Sequence, residues 1–111
     1  MDLRLETSER DGWTIVAAAG EIDISVAPML RAELIGLIGG GVRRLVVDLT
    51  WTDFIDSTGL GVLIGSLKRI RSHDGEMALI ITDPRVFKVF EITGLNQIFA
   101  IHATVELAVA S

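Results

Sequence analysis

Asp56, Ser57, Thr58 and Gly59 place a carboxylate, two hydroxyls and a bare backbone in succession, where a strand-like run gives way to a helical pattern. Leu45–Leu49 is a β-type run, and Leu60, Leu63, Ile64 and Leu67 recur at helical spacing. Ser57 therefore sits where a helix starts. Helix N-termini leave backbone N–H groups unpaired and carry positive partial charge, so they receive anions. A hydroxyl there serves as a cap, a nucleophile or a phosphate acceptor. Asp56 and Ser57 are adjacent, so one can cap while the other projects. Gly59 and Gly61 strip side chains from the first turn, at a cost of about 1 kcal/mol each relative to alanine. Close packing of the helix on a sheet accounts for Gly65 and explains Gly59 less well.

Other chemistries fit poorly. A nucleophile elbow needs glycine two residues before the serine, and Ile55 stands there. His73 and His102 fall at the ends of predicted elements, away from this junction, so no triad is expected. Gly59-Leu60-Gly61 lacks the third glycine or the Gly-Lys-Ser/Thr ending of a phosphate-cradling loop. Gly20-Glu21-Ile22-Asp23 carries two carboxylates, and a solvated or capping turn is the simpler reading than a metal site. No catalytic residue, metal or cofactor is expected. Trp51 either covers the sheet edge or anchors an interface beside Ser57. Lys68, Arg69 and Arg71 read as a solvated helix face, and Trp13, Phe54, Phe87 and Phe90 as core.

The elements that must hold this junction follow from pattern. Leu3–Thr7 alternates as a half-buried strand, Asp11-Gly12 is a turn, and Trp13–Ala19 returns as a hairpin. Gly20–Asp23 breaks the pattern. A helix runs from about Val26 to Ile38, with Ser25 as its N-cap and Gly39–Gly41 ending it. Arg43–Leu49 is a strand, residues 51–58 a loop, and Thr58 to about Ser72 a helix. Asp74-Gly75 leads into strand Glu76–Ile81, and Asp83-Pro84 opens a helix through Ile92 that Gly94 stops. A short strand at Ile98–Ile101 and a helix over residues 103–110 complete the chain. This order predicts one α/β domain over residues 1–111, with a mixed, mostly parallel sheet, an N-terminal antiparallel hairpin and about four helices. Right-handed crossovers then bring the loops 20–25, 51–58 and 82–84 to one edge.

Composition narrows the classes further. The 111 residues are 50% hydrophobic and 23% charged, a globular balance. With no cysteine, disulfides and thiol chemistry are excluded. The net charge of −5 and the lack of a basic, aromatic-interleaved run argue against nucleic acid. No apolar stretch approaches the ~18–20 residues of a membrane span, and Met1–Glu6 has no signal pattern, so a cytoplasmic protein is expected.

Three segments carry a resemblance to a known family. Gly20-Glu21-Ile22-Asp23 is similar to a Gly-Glu-Leu/Ile-Asp turn, and Phe54–Leu63 to a Phe-Ile/Met-Asp-Ser-Ser/Thr-Gly-Leu-Gly segment. Phe90–Leu95 is a weaker match, with Glu91 where Asp is frequent. These motifs resemble STAS domains, specifically the free-standing anti-anti-sigma factors of bacterial stress and sporulation control. The resemblance implies that Ser57 is phosphorylated by a partner anti-sigma factor that is also a serine kinase, with Thr58 the poorer candidate. It implies that the unmodified protein binds that partner and releases a sigma factor, that phosphorylation ends binding, and that a phosphatase restores it. Asp23, Asp56, Ser57, Thr58, Gly59 and Gly61 would form the partner surface. A phosphate at Ser57 is expected to be accepted by the helix dipole and free N–H groups while repelling its aspartate neighbours. Two alternatives remain: a STAS scaffold module in a larger stress-signalling complex, and a receiver domain phosphorylated on Asp53 or Asp56.

Overall fold

A computed structural model of the protein describes residues 3–110. The chain begins with a hairpin, β1 (Arg4–Arg10) and β2 (Trp13–Ile22), followed by α1 (Ala27–Gly39) and β3 (Arg44–Asp48). Next come β4 (Thr52–Ile55), α2 (Ser57–Ser72), β5 (Glu76–Ile80) and α3 (Pro84–Ile92). A 3-10 turn (Leu95–Gln97), β6 (Ala100–His102) and α4 (Val105–Val109) close it. Asp11 and Gly12 both take positive φ, 53° and 85°, as a two-residue hairpin turn requires.

The sheet runs β1-β2-β3-β5-β6, with β4 also paired to β2. β1 is antiparallel to β2, and the other pairings are parallel. The expected α/β architecture with its N-terminal antiparallel hairpin is borne out. Successive residues of each central strand serve opposite faces. Val16, Leu45, Val47 and Leu79 pack with Leu34 of α1, Leu63 of α2 and Phe90 of α3 in the main core. Trp13, Ile15, Val46 and Ile80 meet Ala108 of α4 on the other face. Burial on both faces explains why β3 and β5 read as continuous apolar runs. Edge strand β1 is mostly exposed and charged, which discourages pairing with other chains.

Five expectations are corrected. The segment 51–58 is not all loop, because it contains β4, and β2 does not break at Gly20 but continues through Ile22 to pair with it. β3 accompanies only Thr14–Ala17 of β2, and β4 takes up the same side of β2 from Gly20 onward. A register shift opposite Gly20 and Glu21 leaves Asp53 as an extra residue, so no period-two signal exists to be read. The shift turns both Asp53 and Phe54 outward, and Phe54 is 48% exposed rather than core. Trp13 and Phe90 are buried as expected, and Phe87 is partly buried against the main core.

Ser25 does not cap α1. Its hydroxyl donates to Asp23 at 2.6 Å, the N-cap position passes to Val26, and the Asp23 carbonyl accepts from Val26 and Ala27 N–H. Finally, the last strand starts two residues later than expected and ends one later, because Leu95–Gln97 form a 3-10 turn whose Leu95 carbonyl accepts from Ile98 and Phe99. Thr104 then caps α4 by accepting from Leu107 N–H at 3.2 Å.

Candidate functional site

Asp56 organises the junction. In extended backbone conformation before α2, its Oδ1 accepts from the N–H of Thr58 at 3.0 Å and of Gly59 at 3.1 Å, and from the Thr58 hydroxyl. Oδ2 accepts from Ile24 N–H at 3.1 Å, while Asp56 donates its own N–H to Ile22 carbonyl at 3.0 Å. The Gly20–Asp23 segment and the Asp56–Gly59 segment, far apart in sequence, are thus joined through one carboxylate. The Thr58 hydroxyl, and next the Gly59 N–H, hold the Asp56 carboxyl below the usual carboxylate range. Asp23 is held low as well, chiefly by the Ser25 hydroxyl, and its Oδ1 also accepts from Ser25 N–H at 3.0 Å. Both are ionised at neutral pH.

Ser57 is the first residue of α2 and is exposed. Its hydroxyl has no hydrogen-bond partner among the described residues, whereas the Thr58 hydroxyl is committed to Asp56 and Thr58 is half-buried. Of two adjacent hydroxyls, only Ser57 projects freely. One expectation changes here. The N–H groups of Thr58 and Gly59 already bind Asp56, so they are not free to cradle a phosphate. A phosphate on Ser57 meets an ionised carboxylate already seated on those donors.

The glycines separate into two kinds. A Cβ on Gly59 would lie 2.7 Å from Ile22 Cγ2 and 2.7 Å from Ile55 Cγ1. Close packing of α2 against β2 and β4 therefore explains Gly59, against expectation. A Cβ on Gly61 or Gly65 would meet nothing within 4 Å, and both residues are exposed, so packing explains neither.

The three loop regions do gather at one edge. Gly20 N–H donates to Trp51 carbonyl at 3.0 Å, and Asp53, Phe54 and Ile55 line a shallow cleft with Arg85, Val86 and Val89 of α3. Asp83 caps α3 by accepting from Arg85 N–H at 2.8 Å and pairs with the Arg85 guanidinium. Trp51 itself is separated from Ser57 by the whole of β4. It is 72% exposed and lines a groove with Arg4, Glu6, Ala17 and Ala19 on the open face of the hairpin. Sequence reasoning missed Ile24, which is 70% exposed between Asp23 and the Asp56 hydrogen bond, and the outward Phe54. Neither has a sequence signal, since a lone apolar residue in a turn or short strand reads as core.

Among the described residues, no group of three His, Asp or Glu side chains stands where it could hold a metal ion. No helix of the described residues is long and apolar enough to cross a membrane.

A mixed sheet with helices on both faces has clear counterparts among known proteins. Residues 4–108 match the STAS domain family, and the chain belongs to that family. It is 40% identical over 104 residues to the anti-sigma-B factor antagonist of Listeria monocytogenes, covering 91% of this chain and 90% of that protein. A crystal structure of an anti-sigma factor antagonist from Mycobacterium paratuberculosis superposes with a TM-score of 0.92 at 24% identity, covering 98% of this chain and 92% of that one. The phosphorylated form of the Bacillus cell fate determinant SpoIIAA has the same fold, with a TM-score of 0.73 at 24% identity, covering 98% and 97% of the two chains.

Proposed function

We propose that this protein is an anti-sigma factor antagonist switched by phosphorylation of Ser57. In this reading the unmodified chain binds an anti-sigma factor with serine kinase activity and a sigma factor is released. The kinase ends the interaction by modifying Ser57, and a phosphatase restores it. The observation that carries the proposal is the free, exposed Ser57 hydroxyl beside a carboxylate whose two oxygens are already engaged. The Listeria relative named as an anti-sigma-B factor antagonist, and the existence of a phosphorylated form of SpoIIAA, support it. The partner surface is Asp23, Asp56, Ser57, Thr58, Gly59 and Gly61, and neither nucleic acid nor membrane takes part.

The switch is electrostatic and steric. Phosphorylation adds about −1.5 to −2 charges at pH 7. Asp56 already holds the Thr58 and Gly59 N–H groups, so the new charge adds to the field of Asp56 and Asp23 with those two donors already engaged. Like charges at ~4 Å cost about 1 kcal/mol in water and several times that in a dry interface. Together with desolvation of a dianion, this exceeds the ~3–4 kcal/mol that separates tight from weak binding. No refolding is needed. A phospho-aspartate reading fits less well, since Asp56 accepts hydrogen bonds from both Ile24 and the start of α2 and is not a free nucleophile.

Incubation with the purified cognate kinase and ATP should add one phosphate, mapped by peptide mass spectrometry to Ser57. Ser57→Ala should take up none while still binding the kinase. A phosphate on Thr58, Asp53 or Asp56 would overturn the assignment.

A further inference from the structure

Ser57, Gly61, Gly65 and Arg69 recur every fourth residue of α2, and all are exposed. They form a slowly winding row that runs from the proposed phosphorylation site to a cation about 18 Å along the helix. The two glycines leave the middle of the row as bare backbone. A Cβ at either would meet nothing, so their absence of side chains serves no contact within the chain. Beside the row lies a groove between α1 and α2, lined by Arg31 and Ile35 on one side and by Gly61, Gly65, Ser66 and Arg69 on the other. Ser66 is 1% exposed, and its Oγ is buried without a hydrogen-bond partner. An orphaned hydroxyl under a groove is a polar group awaiting a partner. Among the described residues, neither Arg31 nor Arg69 forms an ion pair, although Arg10, Arg44 and Arg85 all do.

We infer that this groove is a second docking site for the same partner, occupied by an acidic segment that lies along the bare glycine backbone and places a carboxylate between Arg31 and Arg69. The inference rests on the proposed function, because the occupant is a segment of the anti-sigma factor. Charge complementarity identifies that segment. The chain carries a net charge of −5, and one end of the row is set among Asp23 and Asp56. The other end is cationic and unpaired. A partner with one sign of charge along its whole contact would be repelled at one end. A bipolar partner, basic toward Asp23 and Asp56 and acidic toward Arg31 and Arg69, is attracted at both and held in a single orientation. That orientation presents Ser57 to the kinase active site while the far contact, remote from the phosphate, steers and aligns the encounter. The glycines set the distance of approach, since any side chain at Gly61 or Gly65 would stand between the two backbones.

The test measures affinity for the purified cognate kinase at low and moderate salt, with thermal melts of every variant. Arg31→Glu/Arg69→Glu should bind at least ten-fold more weakly at low salt, with the gap narrowing as salt rises. Arg31→Lys/Arg69→Lys should recover most of the loss. Gly65→Leu should also weaken binding at least ten-fold while melting no lower than the unmodified protein. Lys68→Glu makes half the charge change of the arginine pair on the exposed face of α2 outside the groove, and should alter affinity less than about 1.5-fold. Affinities of the groove variants within two-fold of wild type, with Ser57→Asp still weakening binding, would overturn the groove and leave the switch standing. A loss in log affinity for Lys68→Glu at least half that of the arginine pair, in proportion to its half-sized charge change, would assign the effect to overall charge and also overturn it. If Ser57→Asp bound as well as wild type, or the wild type bound no kinase, the proposed function would fail and the groove with it.

Discussion

Gly59 and Gly65 stand six residues apart on one helix and are glycines for opposite reasons. Gly59 is buried where α2 leaves β4, and the missing Cβ is what allows Ile22 and Ile55 to close against the helix start. Gly65 is exposed, touches nothing that a Cβ would disturb, and gives up helix propensity without any return in packing. The first end of α2 is built for internal fit, and the bare middle serves no contact within the chain. One residue type read from sequence therefore covers two physical situations that only the neighbours distinguish.

Substitutions should separate these situations by sign. The largest effect is expected at Gly59. Gly59→Val drives two methyl groups into the space held by Ile22 and Ile55, and should cost about 1–3 kcal/mol, read as a lower midpoint in urea denaturation. A variant as stable as wild type would mean that the helix start can move aside at little cost.

Asp56→Ala should come next. It removes the acceptor for Thr58 and Gly59 N–H and the link to Ile24, lowering Tm by a few degrees at pH 7. Its pH dependence is specific. The Asp56 carboxyl is held below its ordinary value of 3.8, so its contribution to stability is fully present above that value. The contribution is lost as the pH falls through the lower folded-state value. The Tm difference between wild type and Asp56→Ala should accordingly shrink on acidification below pH 3.8, and a constant difference would refute the ionised-cap account. The smallest effect has the opposite sign. Gly65→Ala should stabilise the free protein by about 0.5–1 kcal/mol, since it adds helix propensity and meets no neighbour. A loss of stability there would show that α2 packs more tightly in solution than its bare middle suggests.

The legible and illegible parts of the molecule divide along similar lines. Helix α3 was readable because its signals are local: Asp83 caps, Pro84 takes the first turn and Gly94 stops it with φ of 76°. The core strands were readable because burial on both faces demands continuous apolar runs, as in Leu45–Val47 and Met77–Ile81. Strand β4 was not, because four residues with a register shift carry no period and exist only through their pairing with Gly20–Ile22. Likewise Ser25 looks like a cap by type, and its hydroxyl is diverted by Asp23, a choice that depends on how the loop folds back.

At the candidate site, the order Asp56-Ser57-Thr58-Gly59 by itself determined that a helix starts there with a carboxylate and a serine at its mouth, since capping chemistry is local. Which hydroxyl stays free, where Asp56 spends its second oxygen, and why Gly59 cannot carry a side chain were decided by tertiary structure. The reason is that each depends on a distant segment: Ile24 as donor to Asp56, Ile22 as the wall against Gly59, and α1 as the second bank of the groove beside Gly65. Local hydrogen bonding and burial period are written along the chain. The spacing between segments that meet only after folding is not, and the proposed approach of a partner to Ser57 depends on that spacing.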